Sequence, residues 1–412
     1  MKRALKRSVV TGFSLVELMI ALALGSVVIS GVVQLFVANS ETHTLLVGQS
    51  RMQESARFTL DFVGRQVRQA SYRGCFSGNV NLHTSMGPAT TPFIPYEFDL
   101  RLGIQGFNDA GIDSWNPALT VLPNTEADFP MSNVLNTVFK TTYGYGAGNG
   151  IDLDEVISGT DVVTFRHISQ LDARLGGYLD ADNSTIYGTM PTSTEPMVVG
   201  IQAGWSEFDQ DHLAMVHDCE KATIFRVTTS NPWGRNTDLS PMASPISRDL
   251  TVGHDTSSPD TTQNIFDRLA LVNTFEVDAA VSAIESHTFF IAPGEGVNNA
   301  GNHPLSLWRK SGLEAPIELI EGVEDLQLVY GIDTDEDGVP NQYLQANFVP
   351  ANGWTNVATV RVSVVVNSID DVGSTASLPT HGCDIQDCIT DEDYDGLIRR
   401  SFTQTIQMRN SG

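Results

Sequence analysis

The chain has 412 residues, of which 41% are hydrophobic and 18% charged, a balance that excludes a largely disordered protein. Its 35 glycines and 18 prolines exclude a collagen-like or low-complexity chain, and the length suits two average domains or one elaborated one. With 24 basic against 49 acidic side chains, and a net charge of −25, its surface repels phosphate backbones, which excludes nucleic acid as a partner.

The charge is unevenly placed. Lys2, Arg3, Lys6 and Arg7 precede the first acid, Glu17; without these four, 20 basic groups face 49 acidic ones, a net charge of −29. A basic leader ahead of an apolar run keeps the leader cytoplasmic and sends the bulk of the chain across the membrane. From Phe13 to Ala38 the run is FSLVELMIALALGSVVISGVVQLFVA. Beyond Glu17 about 21 residues remain, enough for a helix to cross the hydrocarbon core once. The run is longer than a signal-peptide core, and no small-x-small cleavage site followed by a mature boundary comes after it. A plain signal anchor leaves Glu17 unexplained, because a carboxylate entering the bilayer costs about 2–3 kcal/mol and needs a partner or a task.

Gly12-Phe13-Ser14-Leu15-Val16-Glu17-Leu18-Met19-Ile20-Ala21 resembles the processing site of type IV prepilins and pseudopilins. The resemblance implies cleavage between Gly12 and Phe13 by a membrane prepilin peptidase that also methylates the new amino terminus. Residues 1–12 are then a leader, Phe13 carries the N-methyl group, and Glu17 becomes the fifth mature residue. It also implies that Glu17 pairs with the terminal amine of a neighbouring subunit during filament assembly. A free α-amine is cationic at neutral pH, so it can neutralise a buried carboxylate. Ala21 and Gly25, and Ser26 and Ser30, recur at four-residue spacing that permits close helix approach. The mid-helix proline of many major pilins is absent from this segment.

Helical periodicity continues over residues 39–74. Met52, Ala56, Leu60, Val63, Val67 and Ala70 make one amphipathic stripe. Arg51, Arg57, Arg65, Arg68 and Arg73 decorate it and read as a solvated face with local salt bridges. Gly74 is the expected stop. From 75 to 412 the chain reads as a β-rich head. Residues 77–150 suggest long loops with short strands, and the glycine-rich stretch 143–150 lacks the lysine and serine of a phosphate cradle. Strand candidates are Val162–Ile168, Met197–Ile201, Thr223–Thr229, His287–Ala292, Leu305–Arg309, Leu326–Tyr330, Val357–Asn367 and Phe402–Met408. In Val357–Asn367 the valines at 360, 362, 364 and 366 alternate onto one face. The expected fold class is α+β and type IV pilin-like: a long N-terminal helix, half transmembrane and half amphipathic, on a mostly antiparallel sheet with large loop insertions.

Further segments carry a narrower resemblance. Gln69 to Cys75, Asp218-Cys219-Glu220, Glu321 to Gly331, and Arg400-Ser401-Phe402 through Arg409-Asn410 are similar to minor pilins of the PilW family. That likeness implies a subunit of the bacterial inner membrane, crossing once with its head in the periplasm and then entering a pilus at or near the tip. Its implied partners are the peptidase, other minor pilins and the major pilin. Its implied task is to initiate, prime or cap assembly. The alternatives are a type II secretion pseudopilin and a pilus-mounted adhesin or calcium-responsive binding module.

Cys75, Cys219, Cys383 and Cys388 all come after the helix, and in an exported chain they suggest disulfides, with three connectivities open. Cys383 and Cys388 are close enough to form a small loop, which would leave Cys75 to join Cys219; a zinc site at Cys383 and Cys388 lacks paired ligands nearby. Asp333, Asp335 and Asp337, with Gly338, Val339 and Asn341 after them, have the D-x-D-x-D-G opening of a calcium loop. Val339 would offer its carbonyl, and Leu344 replaces the bidentate glutamate of the twelfth position, so binding should be weak. Asp391, Asp393 and Asp395 before Gly396 repeat the pattern less completely and read first as a turn. Calcium is the one cofactor suggested. The nine histidines form no HExxH motif, and His212 and His217 beside Asp218 read as structural, so no enzyme is expected.

Overall fold

The structure, a computed structural model, describes residues 14–76, 82–84, 98–111, 114–116, 156–157, 159–169, 174–179, 186–187, 197–202, 213–226, 229–231, 247–253, 275–276, 279–312, 314–335, 337–373 and 396–409. Gly12, Phe13, Asp391, Asp393, Asp395, Cys383, Cys388 and His212 lie outside these residues.

One helix, α1 (Leu15–Gln69), runs without a break for 55 residues, roughly 80 Å at 1.5 Å per residue. It contains no proline, so no turn lacks its N–H donor. Up to Val47 it stands exposed, with Leu18, Ile20, Leu22, Leu24, Val28 and Phe36 all more than half accessible. From Gly48 onward one face is buried: Gly48, Met52, Ala56, Thr59, Val63, Gly64 and Val67. The amphipathic stripe read from the sequence is therefore the docking face, with Leu60 at its margin.

The helix stops at Gln69, earlier than Gly74. Ser71 takes a positive φ of 64°, and its N–H donates to Arg166 O at 3.0 Å while Tyr72 O accepts from Ile168 N at 3.0 Å. The chain leaves the helix because the edge of a strand captures its backbone groups. Gly74 (φ 69°) then makes the next turn, where an L-residue would be strained.

Among the described residues, eighteen strands come after the helix, in chain order. They are β1 (Leu82–Thr84), β2 (Ile104–Gly111), β3 (Ser114–Asn116), β4 (Val162–Ile168), β5 (Arg174–Leu179), β6 (Ile186–Tyr187), β7 (Met197–Gln202), β8 (Leu213–His217) and β9 (Ala222–Arg226). Next come β10 (Thr229–Asn231), β11 (Ser247–Gly253), β12 (Ala280–Pro293), β13 (Leu305–Ser311), β14 (Ile317–Glu321) and β15 (Val323–Ile332). The last are β16 (Gln342–Leu344), β17 (Val357–Asn367) and β18 (Arg399–Gln407).

They form two sheets rather than one. The first joins fourteen strands, with β12 as its hub: the start of β12 pairs with β8 and touches β5, and its later part lies between β4 and β13. The second is four-stranded and antiparallel, in the order β16-β15-β17-β18. Pairing in the large sheet is antiparallel except between β1 and β9. The four alternating valines of β17 are each at most 1% exposed. They share one core with Val63 and Val67 of α1, Phe165 of β4, Phe289 of β12 and Ile406 of β18. Removing such side chains from water contributes about 1.5–3 kcal/mol each, so the lower half of the helix is held by apolar contact.

Candidate functional site

At the start of α1, Ser14 is the N-cap and Glu17 the third helical residue. The Glu17 carboxylate accepts from Ser14 N–H at 3.0 Å, satisfying one orphan donor of the helix terminus. Hydroxyls of the exposed arm bond back to its own carbonyls: Ser26 Oγ donates to Ala23 O at 2.8 Å and Thr42 Oγ1 to Ala38 O at 2.7 Å. Nothing lies within 4 Å of a side chain built at Gly25 or Gly31. The arm is an apolar rod with its hydrogen bonds closed internally, as a hydrocarbon environment requires.

Where the arm meets the head, the contact is close. A Cβ on Gly48 would lie 3.1 Å from the Ser368 side chain and 3.2 Å from that of Val372. One turn on, Arg51 pairs with Asp370 at 3.3 Å. Arg65 pairs with Asp61 within the helix at 2.6 Å. These two arginines fit the solvated reading; exposed ion pairs of this kind contribute little.

Beyond the helix end, Cys75 is disulfide-bonded to Cys219, fastening the helix exit to the turn between β8 and β9. His217 is buried beside this bond at 3% exposure. A Cβ on Gly74 would stand 2.7 Å from its Cε1. Burial, then the charge of Arg174, lowers the His217 pKa to about 4 against the opposing pull of Asp218. His217 is thus a neutral core residue, in keeping with its structural reading.

The acidic loop between β15 and β16 brings Asp333, Asp335 and Asp337 together, one carboxylate oxygen from each lying within 4.8 Å of the others. Gly338 has φ 85°, the left-handed turn expected of the sixth loop position. The carboxylates are held by backbone donors: Gly338 N–H to Asp333 Oδ2 at 2.7 Å and Val339 N–H to Asp337 Oδ1 at 2.8 Å. Asn341 turns its amide nitrogen to Asp335 Oδ1 at 3.0 Å, and its oxygen accepts from Thr334. Leu344 pairs with Tyr330 as part of a hairpin, so the twelfth position brings no carboxylate. The donor set fits a hard cation at its opening and lacks the closing ligand.

A second cluster escaped the sequence reading. His167 on β4 lies opposite Glu285 on β12, and His287 stands two residues further along β12. Glu285 Oε2 is 3.7 Å from His167 Nε2 and 3.6 Å from His287 Nε2. His287, with help from His167, holds Glu285 below the ordinary carboxylate range despite partial burial. Burial in turn lowers the His167 pKa against the attraction of Glu285. Glu285-x-His287 is a same-face pair by strand alternation, the one signal the sequence offered; His167 sits too far along the chain to be linked to it.

A family model described as the prokaryotic N-terminal methylation motif matches residues 7–33, and one described as Type IV Pilus-assembly protein W matches residues 294–410. Together the two matches support a PilW-like minor pilin of a type IV pilus. No curated protein matches it, and no solved structure does. The methylation motif spans Gly12, Phe13 and Glu17 and half of the exposed arm, so the PilW-like chain is a membrane-anchored, pilus-associated subunit processed by the prepilin peptidase. The PilW segment covers β13 to β18, and with them the four-stranded sheet, the acidic loop and strands β14, β17 and β18 under α1. The Cys75–Cys219 bond and the His167 cluster lie between the two matched segments.

Proposed function

We propose that this minor pilin initiates, primes or caps a type IV pilus, with the apolar arm packing among other pilin helices and the head contacting other minor pilins. The observation that carries this reading is a single helix that is exposed and apolar up to Val47 and clamped to the head from Gly48 onward. In the proposal the subunit waits in the inner membrane with its head in the periplasm. Cleavage after Gly12 frees the Phe13 amine, and Glu17 exchanges its Ser14 contact for the terminal amine of a neighbour as the subunit enters the filament, at or near the tip.

The test is a deletion strain complemented with the wild type, Gly12→Glu or Glu17→Val. Surface pili and twitching motility should be lost on deletion while type II secretion continues. Wild type should restore them, Gly12→Glu should leave the leader attached, and Glu17→Val should be processed yet fail to assemble. Normal piliation in the deletion strain overturns the reading. Lost secretion with intact pili selects the pseudopilin alternative. For the calcium-responsive alternative, the carboxylates of Asp333, Asp335 and Asp337 speak in favour and Leu344 against. Calcium titration of the full chain decides it, and affinity weaker than about 1 mM leaves the assembly reading alone.

A further inference from the structure

The ligating atoms of His167, Glu285 and His287 all lie within 4.8 Å of one another. The 3.6 and 3.7 Å separations from Glu285 Oε2 to the two Nε2 atoms are too long for hydrogen bonds. They are close to the spacing of neighbouring ligands on one tetrahedral ion, roughly 3.3 Å for bonds of 2.0–2.1 Å. The second shell orients both rings. His167 Nδ1 lies 3.1 Å from Ile168 O, which can only accept; with the hydrogen on Nδ1, the neutral ring presents a lone pair at Nε2. His287 Nδ1 lies 3.1 Å from Ser311 Oγ, which lets its Nε2 do the same. Gln66 Oε1 of α1 approaches His167 Nε2 at 3.2 Å. Two imidazole lone pairs, a carboxylate and an amide oxygen turned toward one another are compatible around a cation.

We propose that His167, Glu285 and His287 form a zinc-class divalent metal site, with Gln66 Oε1, beside His167, as a candidate fourth donor. Imidazole ligands select a transition ion over calcium or magnesium, and an ordered partner on the second nitrogen of each ring is the usual support of such ligands. The site joins β4 and β12 to the last turns of α1. Its metal would therefore fasten the helix to the head.

The experiment uses the full chain in detergent, stripped with a chelator, with Zn²⁺ and Co²⁺ as probes. One equivalent of Zn²⁺ should bind and raise the thermal midpoint, and Co²⁺ should give the strong visible bands of a four-coordinate nitrogen and oxygen site. Glu285→Gln and His287→Ala should each weaken binding at least tenfold and remove those bands, while Asp335→Asn leaves them unchanged. Glu285 is 39% exposed by side chain, so Glu285→Gln carries the test should His287→Ala fail to fold. Undiminished binding in Glu285→Gln overturns the proposal. So does Co²⁺–thiolate absorption, which assigns the metal to Cys383 and Cys388, or a six-coordinate spectrum abolished by Asp335→Asn.

Discussion

Arg399 Nε donates to Glu324 Oε2 at 2.6 Å, with the two side chains only 12% and 8% exposed. The pair reaches over β17, since Arg399 lies opposite Asn367 in the β17–β18 register and Glu324 sits in the bulge of β15. Asn367 Nδ2 completes the group by donating to Glu324 Oε1 at 2.8 Å. Arg399→Ala leaves a buried carboxylate without its counter-charge, and we expect a loss of about 3 kcal/mol or more. Replacing both partners, as Arg399→Met with Glu324→Leu, should recover most of it. Chemical denaturation of the detergent-solubilised chain, monitored by tryptophan fluorescence, checks both.

Reducing the disulfide should act on the unfolded chain. Cys75 and Cys219 are separated by 144 positions, a closure the chain-entropy model values at about 4–5 kcal/mol. Cys75→Ser with Cys219→Ser is expected to lower the thermal midpoint and to release the segment after α1 to protease, while α1 stays docked through Val63 and Val67. Limited proteolysis with mass readout distinguishes this local release from global unfolding.

Asp325 and His217 give opposing pH dependences. Burial is the first cause that raises Asp325 from 3.8 to about 6, with Glu324 adding to it while Gln327 and the Leu326 backbone oppose it. The folded state therefore holds this proton more tightly than the unfolded state, and stability falls as pH rises from about 4 to 6. Asp325→Asn, which keeps an acceptor for Gln327, should gain about 2 kcal/mol over wild type above pH 6 and nothing below pH 4. For His217 the folded value of about 4 lies below the ordinary 6.5. Its neutral form contributes in full above pH 6.5, and the contribution is lost as pH falls toward 4. His217→Gln should flatten that part of the profile. Denaturation midpoints between pH 4 and 8 report both.

The same substitution should differ along one helix. Val63 is fully buried against the sheets, whereas Val33 is 53% exposed. Val63→Ala is expected to cost about 2 kcal/mol of head stability, and Val33→Ala less than about 0.5 kcal/mol. If Val33 packs against other pilins, piliation rather than melting should register its loss.

Much of this architecture could be read from the sequence wherever burial is one-sided. The alternating valines of β17 and the stripe from Met52 to Val67 each have one wet face, and that asymmetry writes a period into the chain. Strand β8, LAMVH, is buried at every position, so it shows no alternation and was not anticipated. The N-terminal part of β12, AVSAIES, carries small and polar residues into buried positions, and only its C-terminal half was legible. The helix end depended on pairing with Arg166 and Ile168, almost a hundred positions away. Local signals at Gly12, Glu17 and the aspartate loop are contiguous and stood out, but the His167 cluster exists only once β4 and β12 pair in register.

Because α1 passes from open arm to buried keel with neither a proline nor a gap at Gly48, the two halves cannot swivel independently. Tension along a filament axis would be delivered lengthwise into the seam that Met52, Val63 and Val67 make with the sheets. Many side chains must then slide at once, a geometry far harder to rupture than strands peeled apart one by one.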